Sequence, residues 1–334
     1  MLGKQLIQAA AGSAAAGAGL YVEDVFSTDL WPGTASAKTI TTGIDLATEG
    51  GLVWIKNRTG GNPPTIRDTE RGANKGLDTN SNSAEYTSNF AVTAFTSSGF
   101  TLGADATVNG SSFDFVGWSF RKALGFFDIV TYNGNATAGT SHSHNLSAVP
   151  EFIICKSYNT GTGGAGFWCY HKDLSTNYAI RLDGSSNGSV AEQSASNYWN
   201  SSTHSATTFT LGNYGDINGS GKTFISHLFS TLSGISKVGS YSGTGNAINV
   251  DCGFSSGARY ILIKRKDASG NWFVYDSARG IVSGNDPYKL LNTNAAEVTN
   301  TDYIDPLNSG FTVTSSAPTG LNASGGTYIF LAIA

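Results

Sequence analysis

Arg259-Tyr-Ile-Leu-Ile-Lys264, followed by Trp272-Phe-Val-Tyr-Asp-Ser-Ala-Arg-Gly280, decides the fold. An apolar run ends in a lysine, the polar stretch Lys266-Asp-Ala-Ser-Gly-Asn271 turns the chain, and a second apolar run returns. That pattern is a hairpin of two buried strands. It occurs twice more. Gly51-Leu-Val-Trp-Ile-Lys56 precedes Thr65-Ile-Arg-Asp-Thr-Glu-Arg-Gly72, and Glu151-Phe-Ile-Ile-Cys-Lys156 precedes Trp168-Cys-Tyr-His-Lys172. Working outward, each copy opens with a short segment: Leu30-Trp-Pro-Gly33, Asp128-Ile-Val-Thr-Tyr-Asn-Gly134 or Lys237-Val-Gly-Ser-Tyr-Ser-Gly243. Each continues to an alternating strand: Gly99-Phe-Thr-Leu-Gly103, Phe209-Thr-Leu-Gly212 or Gly310-Phe-Thr-Val-Thr314. Each closes with an asparagine turn at Asn109, Asn218 or Asn322 and a final apolar run over 113–120, 223–229 or 327–333.

The copies repeat every 100 to 110 residues or so. Solenoid units span only about 20–50 residues, whereas this length is enough for a domain with its own core. Short apolar strands at regular spacing predict an all-β chain of three tandem homologous β-sandwich modules, jelly-roll or lectin-like. The expected organisation is a leader over 1–25 and modules over 26–122, 123–232 and 233–334. The connections Arg121-Lys-Ala-Leu-Gly-Phe126 and Ser230-Thr-Leu-Ser-Gly-Ile-Ser236 are too short to be flexible tethers, so the modules should touch.

Composition agrees with β structure. Of 334 residues, 40% are apolar and only 13% charged, and the 42 glycines are close to twice the usual share. Long charged helix formers are scarce, while 6 Trp, 14 Tyr and 18 Phe are available for cores. Net charge is −4 and the densest basic run, Lys264-Arg-Lys266, is followed by Asp267, which argues against a nucleic-acid partner. Two of the three cysteines fill apolar positions: Cys155 stands where the other copies have Ile55 and Ile263, and Cys169 follows Trp168 as Phe273 follows Trp272. A Cys155–Cys169 bridge across adjacent strands is the alternative.

The leader carries an apolar run, Ala9 to Leu20, too short to span a bilayer. Two readings stand. Lys4 and Ala14-Ala-Ala16 fit a cleaved signal peptide. Gly12, Ala16 and Gly19 fit an anchor that packs closely against other copies or a larger assembly.

The catalytic candidates are the acids that recur. Asp68 and Arg71 match Asp276 and Arg279, with Lys172 and Ser175 aligned in the second copy. Glu85, Glu192 and Glu297 each follow an alanine. Asp68 with Glu85, or Asp276 with Glu297, would be the carboxylate pair of a glycosidase, about 5–9 Å apart in a cleft. A turn held by an ion pair accounts for the same residues, and one copy lacks it. His142 and His144 would share a strand face and suit a metal, but no third ligand is evident. Asn218-Gly-Ser-Gly-Lys-Thr223 lacks the spacing of a phosphate loop. Tyr198, Trp199 and Tyr303 are the aromatics in polar loops that would stack on sugars, with core or intermodule contact as the alternative. No catalytic, cofactor or metal residue is assigned, and the expectation is a protein that is not an enzyme.

Several of these stretches together resemble a known group. They are Leu20-Tyr-Val-Glu-Asp-Val-Phe26 after the small-residue leader, Gly51-Leu-Val-Trp-Ile-Lys-Asn-Arg58 and Asp68-Thr-Glu-Arg-Gly72. Trp118-Ser-Phe-Arg-Lys-Ala123 with Gly125-Phe-Phe-Asp-Ile-Val-Thr-Tyr132, His144-Asn-Leu-Ser-Ala-Val-Pro150, and the closing run from Asn322 to Ala334 complete the set. The chain is similar, along essentially its whole length, to the repeat-containing tail-fibre-like structural proteins of tailed bacteriophages of aquatic bacteria, cyanophages included. The resemblance implies a virion protein, assembled in the host cytoplasm and exposed on the particle, in a tail fibre or tail-associated adhesin that contributes to host attachment. It implies a homotrimer, attachment to other virion proteins through the leader, and a host surface glycan as target. A capsid decoration or head-fibre protein, and a secreted carbohydrate-active enzyme, are the alternatives.

Overall fold

The computed structural model describes residues 19–159, 166–175, 178–183, 193–194, 197–200 and 203–334. Gly12, Ala16, the Ala14–Ala16 stretch and Glu192 lie outside the described residues.

The hairpins form where the apolar runs place them. The first repeat holds β1 (Phe26–Pro32), β2 (Lys38–Thr41), β3 (Gly51–Asn57), β4 (Thr65–Asp68), β5 (Lys75–Asp78), β6 (Tyr86–Thr87), β7 (Val92–Thr96), β8 (Gly99–Leu102) and β9 (Asp114–Arg121). The second holds β10 (Phe127–Asn133), β11 (Thr140–Ser143), β12 (Phe152–Ser157), β13 (Trp168–His171), β14 (Tyr178–Arg181), β15 (Gln193–Ser194), β16 (Thr208–Leu211) and β17 (Thr223–Phe229). The third holds β18 (Ser236–Ser242), β19 (Ile248–Asp251), β20 (Tyr260–Arg265), β21 (Trp272–Asp276), β22 (Lys289–Leu290), β23 (Ile304–Leu307), β24 (Gly310–Val313) and β25 (Thr327–Ile333). The protein is all-β, 43% strand and 6% helix among the described residues.

Every repeat pairs its strands in one order. The large sheets run β1-β9-β3-β4-β5-β6, β10-β17-β12-β13-β14-β15 and β18-β25-β20-β21-β22. The small sheets run β2-β8-β7, β11-β16 and β19-β24-β23, so the copies differ only in outer strands.

Strand alternation explains why the central runs are apolar throughout. On β3, Val53 and Ile55 face the small sheet and join Trp31, Phe100 and Phe115 in a core belonging to the first repeat. Ile153 and Cys155 on β12 do the same with Phe209 and Phe224 in the second. The alternate residues, Leu52 and Trp54 or Phe152 and Ile154, face the other way into one cluster built from all three repeats. At its centre the Phe120 ring lies 5.6 Å from Phe229 and 5.7 Å from Tyr260. The sandwiches therefore stand back to back around a common core.

The segments that join the repeats are part of that core. Phe126 and Ile235, just before β10 and β18, are buried in it. Val22 and Val25 of the helical turn α1 (Val22–Val25) are buried in it too, just before β1. Residues 21–25 thus occupy, for the first repeat, the place that 122–126 and 231–235 occupy for the others. The described end of the expected leader, Val22 and Val25 included, packs into this cluster.

The closing asparagines do more than turn the chain. Each ends a helical turn, α2 (Ala106–Asn109), α3 (Gly215–Asn218) or α4 (Thr319–Asn322), and each is buried. Asn109 Nδ2 donates to the Gly103 and Ser36 carbonyls and its Oδ1 accepts from Thr34 N–H. Asn218 repeats this with Gly212, Thr137 and Asn135, and Asn322 with Thr314, Asn246 and Thr244. The side chain clamps the opening loop to the alternating strand. Gly33, Gly134 and Gly243 allow this approach, because a Cβ there would strike the backbone carbonyl of Gly110, Gly219 or Ala323.

The cysteines fill apolar positions as expected, without the alternative bridge, and one alignment changes. Cys155 and Cys169 are free thiols. Cys155 pairs with Trp168 and Cys169 with Ile154, so neighbouring strands send them to opposite faces, one into the second repeat's own core and one into the common core. The same register moves the second copy by one residue. Cys155 pairs with Trp168 as Ile263 pairs with Phe273 and Ile55 with Thr65. Trp168 therefore matches Phe273, and Asp68 and Asp276 match His171, with Leu174 at the arginine position. Lys172 and Ser175 are not the equivalents. The longer turn between β12 and β13 conceals this in the sequence.

Candidate functional site: the seams between repeats

The recurring acids sit at the ends of β4 and β21, where one repeat meets the next. Asp276 is fully buried, and its Oδ2 accepts Arg279 Nε–H at 2.6 Å and the Trp118 indole N–H of the first repeat at 2.9 Å. Arg279 continues to Glu297 at 3.3 Å and to the Val274 carbonyl at 3.0 Å. Glu297 is held bidentately by Arg58 of the first repeat, at 3.0 and 2.8 Å. Burial would raise the Glu297 carboxyl, but Arg58 and Arg279 outweigh it and hold the group below its ordinary range.

The seam between the first and second repeats is built alike. Asp68 Oδ2 accepts Arg71 Nε–H at 2.7 Å, and Arg71 reaches Glu85 at 3.1 Å. His227 of the second repeat stands where Trp118 stands in the first, with Nε2 at 4.0 Å from Asp68. Burial alone would raise Asp68, yet Arg71 and His227 hold it at about 2. Glu85 N–H donates to the Tyr158 carbonyl across the seam.

At the matching position of the remaining seam the charges are gone. Asp173 N–H donates to His171 Nδ1 at 3.1 Å, so the ring proton is on Nε2, aimed at the Phe330 carbonyl at 3.3 Å. Burial pushes this imidazole down to about 4. Leu174 replaces the arginine and Leu331 replaces Trp118 and His227, all within the apolar cluster.

Two of the three strand-end lysines reach across seams. Lys56 donates to the carbonyls of Asn62 and, across the seam, Thr293 at 2.9 and 3.0 Å. Lys156 donates to Asn82 of the first repeat at 3.1 Å, and Lys264 to Gly270 at 2.6 Å. Burial pushes these amines down to about 8, 8 and 7 respectively. Lys289 is fully buried, and burial with Lys56 nearby pushes it to about 6.

The structure joins Asp68 to Glu85 and Asp276 to Glu297, but each pair is bridged by a guanidinium that is 2% exposed or less. Tyr198 and Trp199 are buried in the second repeat's core, Tyr198 against Trp168 and Tyr214. Tyr303 is half-buried near Tyr288. These aromatics are packing residues. His142 and His144 both lie against Phe209. Among the described residues no group of three or more His, Cys, Asp or Glu is placed to hold a metal ion. No helix among them is long and apolar enough to cross a membrane. The sequence reading missed Asp286, whose buried carboxylate accepts the N–H groups of Tyr303 and Ile304 and is raised by burial to about 7.

Antiparallel sheets packed as sandwiches, with buried ion pairs at two of the contacts between repeats, describe the fold. The chain belongs to the DUF7483 family, a domain of unknown function, which it matches over residues 22–334. The match begins at α1 and takes in all three repeats as one unit. No curated protein matches the chain.

Proposed function

We propose that the chain is a virion structural protein of a tailed bacteriophage, a tail-fibre or tail-associated adhesin exposed on the particle and contributing to host attachment. The resemblance of the repeats supplies the family of roles, and one observation favours a structural role over a catalytic one. Asp68 and Asp276, the best candidates for chemistry, are fully buried and neutralised by Arg71 and Arg279 of their own repeats. A general acid needs a raised carboxyl pKa and room for substrate, and Asp68 at about 2 has neither. What the three copies supply instead is a rigid body with a neutral surface. A homotrimer on one axis, joined to the particle through the leader, belongs to this reading and would multiply weak surface contacts.

Antibody against the purified chain tests the reading on phage particles. Labelling of tails or fibres, together with competition by the free protein for adsorption to host cells, is the expected result. Absence from the particle defeats it, as does glycan cleavage abolished by Asp276→Asn in a folded protein. Sedimentation of the purified chain reads the trimer directly.

A further inference from the structure

All five histidines of the chain fall in the second repeat. Three of them gather at its small sheet. His142 lies on β11, the buried His144 just past its end, and His204 in the turn that leads into β16. His144 Nδ1 accepts the Leu146 N–H at 3.2 Å, and His204 Nδ1 accepts the Thr210 N–H at 3.1 Å. A ring nitrogen that accepts carries no proton, so both rings are neutral with the proton on Nε2. The His142 ring stacks on Tyr132 at 4.1 Å, and the His204 ring stands across Tyr170 at 4.9 Å. Strand register gives the counterparts in the other repeats. His142 corresponds to Ile40 and Val250, and His144 to Thr42 and Cys252. In the first repeat Thr42 Oγ1 accepts the Ile44 N–H at 3.0 Å, the same bond made by a group that does not titrate. Among the described residues this sheet also has two strands where the other small sheets have three.

Protonation takes away what these bonds need. A proton on Nδ1 turns the acceptor into a donor aimed at an N–H, so the ring must swing out or the backbone must part. The groups facing the rings are few. Asp128 faces His144 and favours its charged form, but is itself held by Lys122 at 3.5 Å and by the Asn145 N–H at 2.7 Å. The backbone of Ser205 and Thr208 faces His144 as well, Tyr132 faces His142, and Tyr170 and His144 face His204. Burial outweighs the favourable partners and pushes all three imidazoles down, His204 to about 4. A closed sheet of this kind loses stability as pH falls from 6.5, the value of a free ring, towards 4, because the opened form binds the protons. We propose that the second repeat carries an acid-operated latch: protonation of His144 and His204 frees β11 and the 203–207 turn from β16 and uncovers the core around Phe209, while the first and third sandwiches stay closed. The latch does not depend on attachment to a host.

Hydrogen exchange of the intact chain, followed peptide by peptide and corrected for intrinsic rates, tests it. Between pH 7 and pH 5 the protonation of His204 alone should favour the open form about twentyfold, given 6.5 for the free ring and about 4 for the closed one. Exchange in β11 and β16 should rise by at least that factor relative to β2 with β8 and to β19 with β24. His144→Thr together with His204→Asn should keep the protection at pH 7 and abolish the acid response. Thr42 already serves as this acceptor in the first repeat, and an amide oxygen takes the place of Nδ1 at 204. Equal loosening of all three small sheets, no loosening at all, or an unchanged acid response in the double variant overturns the latch. Should the double variant fail to fold, histidine NMR of the parent chain decides. Rings protonated on Nε2 at pH 7, titrating together with the opening of β11, support the latch. Rings already charged at pH 7, or titrating while the β11 amides stay protected, refute it.

Discussion

Asp276 and His171 hold the same position in two repeats, and their surroundings share almost nothing. Around Asp276, a buried carboxylate, a guanidinium and an indole N–H satisfy one another. Around His171, a neutral ring donates to a backbone carbonyl and leucines replace the rest. Both are complete solutions, because a buried polar group is tolerated when every partner is present. They differ in what happens when one member is lost.

Removing part of the charged set should therefore have the largest effect. Asp276→Ala leaves the buried Arg279 with Glu297 alone and the Trp118 indole N–H without its acceptor, and should cost about 3–5 kcal/mol in urea unfolding. His171→Ala should cost about 1–3 kcal/mol, since it removes one neutral bond and some packing. Equal losses would break the distinction. A sharper form transplants one solution into the other seam. Arg71→Leu alone should cost about 3–5 kcal/mol, whereas Asp68→His, Arg71→Leu and His227→Leu together should stay within about 2 kcal/mol of the parent. A triple variant worse than the single would show that the seams are not interchangeable.

Acid should act on the third-to-first seam through its lysines. Lys289 and Lys56 have folded pKa values of about 6 and 8 against 10.5 for the free amine. The unfolded chain binds the extra protons, so stability is greatest at alkaline pH and falls as pH drops towards 6. The groups facing Lys289 are Lys56, Arg279 and Arg58, with Glu297 as the opposing acid. Lys289→Met should make the curve shallower between pH 10 and 6, roughly the window between its free and folded pKa values, with Lys56, Lys156 and Lys264 keeping the rest of the slope. Below that window His171 and His204, both pushed by burial to about 4, continue the trend from 6.5, and His171→Gln should remove its own share of it. An unaltered profile in Lys289→Met would remove the seam from the explanation.

The smallest effect lies in the opening loops. Ala35 and Ala136 hold positive φ values of 49° and 57° where the third repeat has Gly245 at 74°. Ala35→Gly should gain up to about 1 kcal/mol, and Gly245→Ala should lose about as much, in thermal unfolding.

The sandwich was legible because alternation and turn chemistry are local. Val53 and Ile55, or Phe209 and Leu211, announce their strands within a few residues. The seams were not, because each combines side chains from different repeats. Trp118 and His227 look like any residue of a core strand until their partners in another copy are known. Asn109 reads as a turn former although it is a buried clamp. His171 was hidden by the longer turn before β13, which makes Trp168 look like the partner of Trp272.

Residues 21–25 fill the joint that 122–126 and 231–235 fill elsewhere, and Ala334 follows β25 as Ser230 follows β17. A ring with three like joints has no structurally privileged starting repeat. The gene could be rewritten to begin at Lys122, run through the third repeat, pass from Ala334 directly into Tyr21 and finish at Arg121. Such a circular permutant keeps every strand neighbour and every seam, and changes only which joint is left uncrossed by the chain.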